Sequence, residues 1–141
     1  MIDCKRIYLA GPLFSNAERE YNLKICEEIE ALGWSVFLPQ RDGLADISFE
    51  EVGWQEKVFI RNETAIDNAS LVIAILDGSI VDDGTAWEVG YAYANNKNVV
   101  GLRTDFRVAG PEGIVNLMLE RSIDSLFLSE IDLYNYLRGE C

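Results

Sequence analysis

Two adjacent carboxylates, Asp82 and Asp83, stand before Gly84, and Glu88 follows four residues later in the stretch Asp82-Asp83-Gly84-Thr85-Ala86-Trp87-Glu88. Acids grouped this way can hold sugar hydroxyls, move protons, or attack an electrophilic carbon. Their setting sharpens the choice. Residues 70–76 (SLVIAIL) form a continuous apolar run of strand length, suited to a strand buried on both faces of a parallel sheet, and Asp77-Gly78 ends it. A helical pattern starts at Thr85, which puts Glu88 in a first helical turn, beside the positive end of the helix dipole. Open α/β sheets bind ligands at that carboxyl edge of the strands, so an ionised Glu88 is a candidate nucleophile. The same spacing, Thr85-x-x-Glu88, also fits a capping box, a purely structural reading that stays open at this point.

The elements that must position these acids alternate regularly. Arg6–Ala10 reads as a first strand, stopped by the turn signal Gly11-Pro12. Ser15-x-x-Glu18 opens a helix with Tyr21, Ile25, Ile29 and Leu32 on one face, and Gly33 ends it. Residues 34–38 are a second strand, broken at Pro39 into the loop Gln40-Arg41-Asp42-Gly43. An irregular stretch leads to a helix over about residues 54–68, then to the strand at 70–76. Residues 99–102 read as a fourth strand, followed by a polar loop over 103–113. A short helix opens in the apolar run 114–119, and a fifth strand (124–128) and a last helix (129–138) follow. Alternation of this kind implies right-handed crossovers, and hence a parallel sheet. The expected architecture is α/β: a flavodoxin-like or Rossmann-like three-layer sandwich with five strands in the order 2-1-3-4-5. In that order the loops after strands one and three, Gly11-Pro12 and 82–88, meet at the topological switch point.

Composition narrows the partners. The 141 residues match one domain, taken as 1–141, large enough to bury a core without metal or disulfide. Twelve basic against 24 acidic side chains leave a net charge of −12, which repels nucleic-acid polymers and anionic membranes. Cys4, Cys26 and Cys141 are an odd number without C-x-x-C spacing, which argues against a disulfide framework or a thiolate metal site. Incidental thiols in a reducing cytoplasm are expected. No apolar run approaches a signal peptide or a membrane span. The chain has no histidine, so acid–base work falls to Asp, Glu, Tyr or Lys.

Two cofactor classes fit poorly. Gly11-Pro12-Leu13-Phe14-Ser15 lacks the G-x-G-x-x-G of a dinucleotide site. Asp77, Asp82 and Asp83 could be read as a Mg²⁺ or phosphoacceptor cluster, but the first strand ends without the acids such a pocket also needs, and loop acids more commonly serve as caps or turn residues. No metal and no cofactor are expected. Carboxylate, carboxylate and tyrosine instead suit transfer at a glycosidic bond.

The stretch DDGTAWEVGYAYA, with IYLAGP near the start and Asn116-Leu117-Met118 near the end, resembles the nucleoside 2-deoxyribosyltransferase family, in the family's order and over roughly residues 6–128. The resemblance implies that Glu88 attacks the anomeric carbon of a 2′-deoxynucleoside, that a covalent deoxyribosyl-enzyme forms, and that a second free nucleobase takes the sugar. Water in its place gives slow hydrolysis. It further implies that Tyr8 orients Glu88, although a strand tyrosine also fills core space. Asp82 would hold sugar hydroxyls with Asp83 and Gly84 adjacent, and Gly11 would sit in the loop facing them. Asn62 stands where some relatives carry a base-contacting aspartate, Gln40 is a candidate base reader, and Phe14 either stacks on the base or packs over its loop. Asn116 would reach the site of a neighbouring subunit, which implies a homo-oligomer, dimer-based and up to a hexamer, with shared sites. A nucleoside 5′-monophosphate N-glycosidase, whose phosphate would need Ser15, Asn16 and Arg19, and a non-catalytic nucleotide sensor remain the alternatives.

Overall fold

A computed structural model describes residues 5–140, so Cys4 and Cys141 lie outside the described residues. The elements follow in the order β1 (Arg6–Ala10), α1 (Asn16–Ala31), β2 (Ser35–Phe37), α2 (Trp54–Asp67), β3 (Leu71–Ile75), α3 (Asp83–Ala94), β4 (Asn98–Leu102), α4 (Leu117–Ser122), β5 (Ser125–Phe127) and α5 (Glu130–Glu140). All strand pairs are parallel, and the sheet order is β2-β1-β3-β4-β5. The expected α/β sandwich and its strand order are both present.

Alternation along each strand divides the core into two layers. Ile7 and Leu9 pack with Ile73, Ile75, Ile25, Ile29 and Leu133 on the α1 and α5 side. Tyr8 and Ala10 point the other way, into a layer with Val72, Ala74, Ile66, Val89 and Leu119 under α2, α3 and α4. β3 is buried along its whole length, as its unbroken apolar run requires. In register, Tyr8 pairs with Val72 and Ala10 with Ala74. Two alanines side by side at the carboxyl edge leave room above Tyr8.

Helix starts show where local patterns compete. Ser15 caps α1 in the expected reciprocal box, its backbone N–H donating to Glu18 Oε1 at 2.7 Å and its Oγ accepting from Glu18 N–H at 3.1 Å. Gly33, just beyond that helix, takes φ +96°, the conformation that suits glycine. α3 departs from expectation. It begins at Asp83 rather than Thr85, because the Asp82 carboxylate accepts from both the N–H (2.8 Å) and the hydroxyl (2.9 Å) of Thr85. A charged acceptor making two bonds outcompetes a threonine hydroxyl for the cap. Glu88 therefore sits in the second turn and takes no part in a capping box. α4, by contrast, starts later than expected, at Leu117, with Asn116 Oδ1 accepting from the N–H of Met118 at 2.9 Å. The stretch expected as the loop Gln40 to Gly43 coils, with Pro39, into one wide helical turn.

The polar loop after β4 holds one unexpected burial: Arg103 is 3% exposed. Its guanidinium donates to the carbonyls of Leu76, Gly78 and Arg107, tying down the chain that leaves β3 towards Asp82. No helix among the described residues is long and apolar enough to cross a membrane.

Candidate active site

A cleft of about 340 Å³ opens at the switch point between β1 and β3. That volume is in the range of small-molecule sites. Gly11, Leu13 and Phe14 line it from the loop after β1, Pro39 from the turn after β2, Phe59, Asn62 and Glu63 from α2, and Asp82, Gly84, Trp87 and Glu88 from the start of α3.

Glu88 is half-buried, and the hydroxyl of Tyr8 donates to its Oε2 across 80 residues of chain. Tyr8 itself is fully buried and lies flat on Phe37, with ring centroids 5.6 Å apart. The tyrosine thus does both things its sequence context left open: it fills the core and bonds to the carboxylate. Burial pushes the Glu88 carboxyl up to about 8. The Tyr8 hydroxyl, by donating to the charged form, acts in the opposite sense. A carboxylate partly buried and held by one fixed donor can act as a nucleophile once ionised.

The adjacent acids separate. Asp82 faces the cleft with Oδ2 spent on Thr85, while Oδ1 accepts no bond from the described residues. Asp83, the first residue of the helix, is exposed and lines a different groove of about 390 Å³ between α3 and α4, together with Ile80, Asn116 and Met118. Asp77 accepts from the N–H groups of Thr104 and Asp105 and ties two loops together. Among the described residues no group of three or more Asp, Glu, Cys or His is placed to hold a metal ion.

The remaining expected residues distribute as follows. Asn62 lines the cleft, and its buried Oδ1, which has no hydrogen-bond partner among the described residues, is wedged against Gly43, where a Cβ would lie 2.5 Å away. Phe14 is 71% exposed at the mouth. Gly11 approaches β3 and α1 so closely that a Cβ would meet Ile75 at 3.2 Å and Asn22 at 3.3 Å. Gln40 does not line the cleft. Its Nε2 donates to the carbonyl of Arg19 at 2.9 Å and its Oε1 accepts from Asn22 at 3.1 Å. Asn22 also donates to the carbonyl of Pro12 at 2.8 Å, so the amide of Gln40 braces the loop after β1 against the turn after β2. Asn116 is exposed on the far side of α3 and does not reach the cleft of its own chain.

Sequence reasoning missed Trp87, Phe59 and Glu63. Trp87 and Phe59 meet edge-on with centroids 5.4 Å apart, and Trp87 also stacks on Tyr91 at 5.1 Å. The available signal was the spacing 59, 62, 63, which puts these side chains on one helix face.

Fold and site together define a doubly wound α/β protein with a ligand cleft floored by a tyrosine-bonded carboxylate and walled by aromatic rings. A family model for nucleoside 2-deoxyribosyltransferase matches residues 7–123, and the chain belongs to that family of enzymes acting on N-glycosidic bonds. A conserved protein from Enterococcus faecalis V583 is 28% identical, with TM-score 0.85 over 98% of this chain and 99% of that one. A 2-deoxyribosyltransferase from Bacillus psychrosaccharolyticus is 30% identical, with TM-score 0.81 over 93% and 91%. A CMP N-glycosidase from Clostridium botulinum shares the fold at 22% identity and TM-score 0.60, over 97% of this chain and all of that one. No curated protein sequence matches the chain significantly.

Proposed function

We propose that the protein moves 2-deoxyribose from a 2′-deoxynucleoside to another free nucleobase through a covalent intermediate on Glu88. The observation that carries this reading is the carboxylate of Glu88, bonded to Tyr8 at the floor of an aromatic-walled cleft. Glu88 Oε1, which accepts no bond among the described residues, attacks C1′. The base leaves, and a second base returns to the same carbon from the face the first one left. Two inversions give net retention. The uncommitted Oδ1 of Asp82 takes a sugar hydroxyl, helped by the backbone of Gly84 and Gly11, which line the cleft. The base lies between Phe14 and the Phe59–Trp87 wall, with its edge against the carboxamide of Asn62. The nucleophile, the acid beside it and the aromatic walls need neither metal nor cofactor.

Asn116, out of reach of its own cleft, completes the site of a second copy. The apolar groove between α3 and α4 and the exposed Leu117 and Met118 beside Asn116 are the contact surface for that copy. The monophosphate reading is weaker, because Ser15 is spent on capping α1 and Arg19 on the carbonyls of Leu13 and Phe14 and on Asn16. A phosphate dianion would find no free cation among these three.

Incubation with deoxyadenosine and free cytosine, followed by chromatography, tests the reading. A new deoxynucleoside is expected. Release of adenine with no new nucleoside would indicate a hydrolase, and no release at all would end the enzymatic assignment to this cleft.

A further inference from the structure

Three carboxyl groups line the cleft: Asp82, Glu88 and Glu63. Glu88 is the nucleophile in the reading above, and Asp82 is fixed at the sugar end by its bonds to Thr85. Glu63 is left without a role. It stands one turn of α2 beyond Phe59, and Phe59, Asn62 and Glu63 all line the cleft. Contacts on either side fix its level. Phe59 meets Trp87 one turn before it, and Asp67 accepts from the Tyr91 hydroxyl at 2.8 Å one turn after it. The cations on the same helix are engaged elsewhere, Lys57 with Glu51 and Arg61 with the carbonyls of Gly43 and Ala45. Glu63 has no ion pair or hydrogen bond among the described residues.

A departing nucleobase leaves as an anion unless a ring nitrogen away from C1′ is protonated as the bond breaks. Asn62, beside Glu63 on the cleft wall, carries an amide with no dissociable proton to give. Tyr8 is buried and donates to Glu88, and Glu88 is itself bonded to C1′ in the intermediate.

We infer that Glu63 is the acid–base group for the nucleobase, an inference that rests on the transferase reading. In the donor half-reaction the C1′–N bond breaks, its electron pair stays on the base, and the proton of Glu63 passes to a remote ring nitrogen while a Glu88 oxygen bonds to C1′. In the acceptor half-reaction the Glu63 carboxylate takes a proton from the incoming base. The nitrogen electron pair of that base forms the new bond to C1′, and Glu88 departs as a carboxylate.

The experiment compares two donors on the native chain, Glu63→Gln and Glu88→Ala. Deoxyadenosine needs its base protonated. A 2′-deoxyguanosine methylated on N7 does not, since its base already carries positive charge and leaves neutral. Glu63→Gln should slow base release from deoxyadenosine by about 10²–10³-fold while changing release from the methylated donor by no more than a few-fold. Glu88→Ala should lose both, and Glu63→Asp should recover part of the deoxyadenosine rate. Equal losses on the two donors, or no loss on either, would overturn the role of Glu63. If the native chain releases base from neither donor, the transferase reading falls first and takes this inference with it.

Discussion

At the level of single residues, the informative quantity is the ionisation of Glu88. Its carboxyl is raised from an ordinary 4.5 to about 8 by burial, so the folded chain prefers it protonated. Between these values folding takes up a proton that the unfolded chain lacks, and stability contributed below about pH 4.5 is lost as pH rises through 8. Denaturant melts should show native stability falling between pH 5 and pH 8, with that slope absent in Glu88→Gln. Catalysis runs the opposite way, because only the carboxylate attacks. For the N7-methylated donor, which needs no proton from Glu63, kcat/KM should rise about tenfold per pH unit and level off near 8. A profile already flat at pH 5 would show that the Tyr8 hydrogen bond outweighs desolvation. Tyr8 shows how a residue with two plausible readings can satisfy both: its ring packs flat on Phe37 while its hydroxyl reaches Glu88.

The elements decide which acid caps and which reacts. Because α3 starts at Asp83 with Asp82 as its cap, Glu88→Ala removes no cap and should leave the fold intact while transfer falls by several orders of magnitude. Asp82 carries the structural load. Asp82→Ala should cost about 0.5–2 kcal/mol in unfolding free energy, whereas Asp82→Asn keeps a good cap and should melt within a few tenths of native. If Asp82 also holds the sugar, both variants lose transfer, and the Asn variant isolates that loss from stability. Normal turnover by Asp82→Asn, with its melt unchanged, would restrict the residue to capping. The true helix start was ambiguous in sequence because Asp82 and Thr85 are both good cap residues. Only the convergence of Thr85 N–H and Oγ1 on one Asp82 oxygen decides between them.

For the whole molecule, the question is whether one chain holds a complete site. Asn116 lies on the face of α3 opposite Glu88, so a shared site predicts complementation. Glu88→Ala and Asn116→Ala chains, mixed under conditions that exchange subunits, should form hybrids with one site lacking both groups and one wholly native. Activity should rise well above either parent. If mass measurement confirms exchange and activity does not return, Asn116 acts only as the cap of α4.

The five-strand order, the two-sided burial of β3 and the place of Glu88 at the switch point were all legible in sequence. They follow from patterns repeating over two to four residues and from the handedness of βαβ crossovers, which act along the chain. Tertiary structure alone decided the rest. It turned Asp82 into the cleft and Asp83 away, committed Gln40 to bracing two loops, and buried Arg103 under the carbonyls that needed donors. It also brought Phe59, Glu63 and Trp87 together as a wall. Each outcome depends on desolvation and hydrogen bonding by atoms from distant segments, as when Tyr8 on β1 meets Glu88 on α3, and no local pattern carries that information.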